Sequence, residues 1–178
     1  MFNENAIQEM MKERARQLRS ALMVASRSKT SRTIPGVGLL VEFLEAAAGG
    51  HKRSLELEFL TSTASSLTYL DWDAVSNGDG IRFRIPATLV KKFGEVLKQT
   101  AKVGVRFNFW HFDLFLIHEL LHTYQGMERG KHRGYQDRAP QLLRTLDYEA
   151  DALAVIALYA LVIIAPKHFL IRFDFAKQ

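Results

Sequence analysis

Residues 118–122 read His-Glu-Leu-Leu-His, an HExxH pattern. On a helix, side chains four apart stack on one face, so His118 and His122 can direct both imidazoles at a single cation. Glu119 projects beside that cation, where a carboxylate can take a proton from a water held there. Five residues thus offer two metal ligands and a general base. The chain has 6 histidines among 178 residues, and random placement would give this pattern in roughly one in a hundred chains of such composition. The bland reading is a helix whose polar residues find ordinary neighbours. It is costly, because two imidazoles and a carboxylate facing an apolar interior need partners, and a metal pairs all three. Phe112, Leu114, Phe115, Leu116, Ile117, Leu120 and Leu121 supply that apolar setting.

A catalytic zinc takes three protein ligands and leaves one position for water, so a further ligand is expected. Asp147-Tyr148-Glu149-Ala150-Asp151 opens a helix-forming run that continues to Leu158. On a helix Asp147 and Asp151 share a face, whereas Glu149 points about 200° away from Asp147. Asp147 is the expected third ligand. Asp151, one turn on, is expected to accept the far N–H of a ligand histidine and hold its tautomer. Glu149 and His132 stand in reserve as ligands. The bland reading of Asp147 is a carboxylate at a helix N-terminus, favoured by the macrodipole. Stabilisation of an oxyanion calls for a Tyr, His or Arg near the metal. Tyr135, His132 and Tyr148 are the candidates, in or just beyond the basic connection Gly126–Arg144.

An HExxH helix followed by a second helix with this acidic, alanine-spaced motif resembles the gluzincin metallopeptidases. By pattern it is most similar to the HtpX-type peptidases and the compact ImmA/IrrE-like peptidases. The resemblance runs from Asp113 to Leu153. It implies that His118 and His122 ligate zinc, that Glu119 is the base, and that Asp147 stands where the third ligand belongs. Asp151 takes the supporting place, and Ala150 and Ala154 take the small positions. The departure is Asp147, where the family has Glu. Aspartate is one methylene shorter, so the two helices must approach more closely or another group must serve. The HtpX-type relatives are membrane proteins whose spans this chain lacks, which favours the compact type. The metzincin pattern fails, since Gly126 falls one residue late and Glu128 stands where its third histidine belongs. Deformylases need a cysteine ligand, and there are 0 cysteines.

The resemblance and the motif together imply a zinc-dependent peptidase acting on a protein or peptide. The fold expected is α+β, a zincin-like core with a small, mostly antiparallel sheet packed on the two metal-bearing helices. An edge strand near the site would take an extended substrate by β-augmentation. The alternative from another class is an inactive or conditionally active metal-binding regulatory protein with the same core. A nucleic-acid hydrolase is motivated by charge alone.

Composition narrows these classes. With 48% hydrophobic and 24% charged residues, the chain reads as one globular domain large enough for a proper core. The lack of cysteine removes disulfides, thiolate sites and cysteine nucleophiles, and suits a reducing, cytoplasmic setting. The N-terminus lacks a signal-peptide layout. The longest apolar stretch, Ala152 to Ala165, falls short of the ~20 residues of a spanning helix. Net charge is +5 with a pI near 9.6, and basic residues gather at Arg14–Arg32 and Arg129–Arg144. A solvated helix face explains them better than nucleic-acid binding, for which no motif is present.

The elements that must hold these residues follow from periodicity. Residues 4–25 read as a helix with a partial stripe of Ile7, Met10, Met11, Leu18, Leu22 and Val24. Ser26–Thr33 reads as a linker closed by Pro35-Gly36. Residues 1–33 would then be an appendage that could dock a partner, with residues 34–178 as the metallopeptidase domain. A helix is expected over Leu39–Ala48, and strands over Ser54–Leu60, Leu67–Trp72 and Ile81–Ile85, with a turn at Asn77–Gly80. Pro86–Gln99 reads as a helix with proline in its first turn. A short strand at Val105–Phe109 would lead into the HExxH helix over 110–125. Asp147–Ile164 is the second long helix, ended before Pro166. Alternation at Phe169–Phe175 suggests a last strand.

Overall fold

The structure, a computed structural model, describes residues 3–46, 54–60, 71–74, 80–102, 109–124 and 140–169. Five α-helices dominate these residues: α1 (Glu4–Ser26), α2 (Pro35–Ala46), α3 (Ala87–Lys102), α4 (Trp110–Tyr124) and α5 (Pro140–Ile164). Three short strands, β1 (Ser54–Phe59), β2 (Asp71–Ala74) and β3 (Gly80–Ile85), form one sheet in the order β1-β3-β2.

The expected fold class is corrected on two counts. Helix far outweighs sheet, and the longest pairing, β1 with β3, is parallel; only the four-residue β2 pairs antiparallel. Nor does the sheet pack mainly on α4 and α5, the helices expected to carry a metal, since its chief helical neighbour is α1. The parallel register has a visible cause. It sets Leu55, Leu57 and Phe59 beside Ile81, Phe83 and Ile85, and Glu56 and Glu58 beside Arg82 and Arg84. Apolar residues thus meet apolar ones on one face. Acid meets base on the other, with Arg82–Glu56 at 3.5 Å and Arg84–Glu58 at 3.4 Å. Period-2 alternation predicts such faces for either strand direction, so strand direction was beyond its reach.

α1 begins cleanly because the Asn3 side chain accepts the Ala6 N–H at 2.7 Å, the N-cap arrangement worth about 1 kcal/mol. Its buried stripe, Ile7, Met10, Met11, Arg14, Ala15, Leu18, Ala21, Leu22 and Ala25, belongs to the central core. The segment read from sequence as an appendage is therefore a core helix, touching the sheet and each of the other four helices. The stripe passes through Ala21 and Ala25 and leaves Val24 exposed. The linker is also structured: Thr30–Thr33 forms a 3-10 turn, and the buried Ser31 hydroxyl donates to the carbonyls of Ser28, at 2.7 Å, and Ala25.

Pro35 opens α2 at the first-turn position it favours. Gly36 then lies against α5: a Cβ there would collide with the Leu153 carbonyl oxygen and stand 3.1 Å from the Ala157 Cβ. Only glycine lets α2 seat this closely. Phe93 on α3 meets Phe109 and Phe112 with ring centroids 5.3 and 5.9 Å apart, joining α3 to the start of α4. α5 begins at Pro140, seven residues before the expected start, and is followed by a 3-10 turn at Pro166–His168. No helix among the described residues is long and apolar enough to cross a membrane. Apart from their end residues Phe109 and Phe169, the expected strands at Val105–Phe109 and Phe169–Phe175 lie outside the described residues, as does most of the turn at Asn77–Gly80.

Candidate metal centre

α4 carries both histidines because its apolar residues bury the helix around them. Phe112, Leu116, Ile117, Leu120 and Leu121 are all buried. α5 answers with Ala150, Ala154, Ala157, Leu158 and Leu161, also buried. Alanine at 150 and 154 keeps that surface low, which lets α5 approach α4 closely enough to set Asp147 3.3 Å from His122.

The helices meet antiparallel, so one i, i+4 pair faces another. His118 stands opposite Asp151, with Nδ1 2.9 Å from Oδ1. One turn on, His122 stands opposite Asp147, with Nε2 3.3 Å from Oδ1. The two histidine Nε2 atoms are 2.8 Å apart, and their rings lie at 90° to one another. One ligand atom each from His118, His122 and Asp147 falls within 4.8 Å of the other two, which makes this the one such group among the described residues.

These donors suit a small divalent cation. Donor atoms on tetrahedral zinc stand roughly 3.3 Å apart, given bonds of about 2.0–2.1 Å. The His122–Asp147 separation matches that edge, and the imidazole pair would need to open by about half an ångström. Without a cation, a single proton must lie between the two Nε2 atoms. With one bound, both nitrogens present lone pairs instead. The His118 Nδ1 is buried and makes no hydrogen bond of good geometry. The Asp151 carboxylate at 2.9 Å is nonetheless its ion-pair neighbour. A small side-chain rotation converts that contact into an N–H···O bond of the kind that orients ligand histidines.

Burial gives the site a direction. The His122 side chain is 8% exposed, while Asp147 and Asp151 are 52% and 69% exposed. The imidazoles form a floor and the carboxylates a rim, so the centre faces solvent on the α5 side. Glu119 is partly buried on α4, beside His118 in sequence. Glu149 and Tyr148 are exposed, and neither joins the group. Asp147 stands two turns inside α5, so the helix-terminus explanation of its charge does not apply. His132 and Tyr135 lie outside the described residues.

A buried pair escaped notice in the sequence. Arg14 on α1 is 2% exposed and Asp113 on α4 is 0% exposed. The Arg14 Nε donates to one Asp113 oxygen at 2.6 Å and an Nη to the other, a two-pronged bond. The remaining Nη donates to the His168 carbonyl at 2.9 Å. The Phe169 ring lies with its centroid 4.8 Å from the guanidinium. Burial pushes the Asp113 carboxyl above its ordinary value, and the Arg14 fork pulls it back. Arg14 thereby ties α1, the first turn of α4 and the turn after α5 together, and so helps set the two site helices. Two signals could have flagged it. Arg14 falls in step with the stripe at 7, 11, 18 and 22, and Asp113 is the lone acid before the apolar run of α4.

No protein-family model, curated protein or solved structure matches the chain.

Proposed function

We propose that the protein is a zinc-dependent hydrolase of peptide bonds, working in the manner of gluzincin peptidases. The observation that carries the reading is the convergence of His118, His122 and Asp147 within 4.8 Å across two helices. It is supported by the HExxH spacing, which places a carboxylate beside that convergence. In this reading His118, His122 and Asp147 hold the metal, and Asp151 fixes the His118 ring by accepting from Nδ1. A bound zinc supplies Lewis acidity, polarising a carbonyl and acidifying a water toward a pKa of about 7. Glu119, next to His118 on the same helix, would be the general base and acid of such a site, taking a proton from the attacking water and delivering it to the leaving amine. The exposed rim leaves room for a polypeptide to approach from the α5 side.

The test has two parts. Elemental analysis of the purified protein is expected to give one zinc per chain, lost in His118→Ala and His122→Ala. Hydrolysis of a quenched-fluorescent peptide library is expected to fall by roughly 10²–10⁴-fold in Glu119→Gln, with zinc retained. Unchanged cleavage in Glu119→Gln overturns the mechanism. Zinc bound with no hydrolysis of any peptide selects the regulatory metal-binding alternative.

A further inference from the structure

Arg14 reaches both helices of the metal centre from a third one, using all three guanidinium nitrogens. Its Nε and one Nη take the two oxygens of Asp113, in the first turn of α4. The other Nη donates to the His168 carbonyl at 2.9 Å and lies 3.4 Å from the Gln17 Oε1. His168 extends α5 through a ladder of backbone bonds. The Ala165 N–H donates to the Leu161 carbonyl at 2.8 Å, His168 to Ala165 at 3.0 Å and Phe169 to Pro166 at 3.0 Å. At 100° per residue, Asp113 lies about 140° around α4 from His118 and about 180° from His122. Arg14 therefore grips α4 from the face opposite the metal ligands.

Given the metal reading above, we propose that Arg14 is a positioning residue of the metal centre, a planar gauge that fixes the roll of α4 and its distance from α5. The tolerance of a metal site explains why such a gauge matters. Side-chain atoms stand about 5–6 Å from a helix axis, so a roll of about 10° carries a ligand nitrogen through about 1 Å. Metal–ligand distances must hold within about 0.2 Å. The buried Phe112, Leu116, Ile117, Leu120 and Leu121 hold α4 in the core but resist roll less well, since apolar cores lose rigidity before they lose stability. A two-pronged bond is directional. It holds only while guanidinium and carboxylate share a plane, so a roll of α4 misaligns both bonds at once.

Stability and positioning come apart in one chain. Replacing Arg14 with Met and Asp113 with Leu strands no charge, so the fold is expected to survive. One cation and one anion are removed together, so the net charge stays at +5 and no overall attraction for a cation is lost. The fork alone disappears. Chelator competition, at a temperature where circular dichroism shows each chain folded, measures zinc affinity. The combined chain is expected to melt near wild type yet to bind zinc about 10–100-fold more weakly, the range for contacts outside the ligand set. Arg14→Lys keeps the charge but not the planar fork, and is expected to fold and to bind zinc more weakly as well. Cobalt(II) in place of zinc reports geometry, and its visible absorption is expected to lose intensity in both variants. Wild-type zinc affinity in the combined chain or in Arg14→Lys overturns the positioning role alone. A folded wild-type chain that takes up no zinc overturns the metal reading, and this role with it.

Discussion

Removing one member of the Arg14–Asp113 pair should destabilise the protein far more than replacing both. Arg14 and Asp113 are 2% and 0% exposed, so water cannot solvate whichever charge is left behind. Losing one partner from such a pair costs about 3–5 kcal/mol, against 0–1 kcal/mol for an exposed pair. Arg14→Met should sit at the upper end, because it also frees the His168 carbonyl that Arg14 holds at 2.9 Å. Asp113→Asn keeps the shape but strands the guanidinium. For a chain of this length, each kcal/mol moves the melting temperature by about 2–4 °C, so shifts on the order of 10 °C are expected. The combined Arg14→Met and Asp113→Leu chain should recover to within about 1–2 kcal/mol of wild type, or exceed it, since no unpaired charge remains. Urea unfolding followed by tryptophan fluorescence and circular dichroism, on wild type, Arg14→Met, Asp113→Leu and the combined chain, measures all four corners of the cycle, with Asp113→Asn beside them. The pH dependence carries a sign of its own. Burial raises Asp113 above the ordinary 3.8, so its contribution is fully present below that value and is lost as pH rises through the raised one. Asp113→Asn should therefore flatten the stability curve in that window. Single variants each within about 0.5 kcal/mol of wild type, as for surface positions, would refute the reasoning.

Three further outcomes follow from the geometry. Gly36→Ala drives a methyl into the Leu153 carbonyl and should cost about 1–3 kcal/mol in a thermal or urea melt, the range for overpacking. Asp151→Ala should weaken zinc binding by roughly 10–100-fold in a chelator competition, through loss of the His118 orienting contact; Asp147→Ala should weaken it further. Asn3→Ala should lower stability by about 1 kcal/mol, through loss of the bond to the Ala6 N–H.

The parts of this protein that were legible in its sequence are those governed by short repeats along one helix. His118 and His122 four apart, and Asp147 and Asp151 four apart, predict two pairs each on one face. The structure sets those pairs opposite one another, His118 by Asp151 and His122 by Asp147. Helix bounds away from proline were harder. α5 extends back to Pro140, because proline is well tolerated at a helix start, and the sequence before Asp147 carries no other stop. Pro35 and Gly36, read as punctuation, instead open a helix and admit its close contact with α5. The sheet was misread because alternation within β1 and β3 is the same whichever way the strands run.

Local spacing, then, settled which side chains share a helix face, since 3.6 residues per turn is a property of the backbone and needs no neighbour. It therefore determined the two histidine and aspartate pairs and the apolar character of α4. Only tertiary structure decided which faces meet. It placed α1 inside the core and turned Arg14 from one of a basic cluster into the partner of Asp113, 99 residues away. It chose a parallel pairing for β1 and β3. Those outcomes depend on packing between segments remote in sequence, where burial and charge pairing select among arrangements that local spacing leaves equivalent.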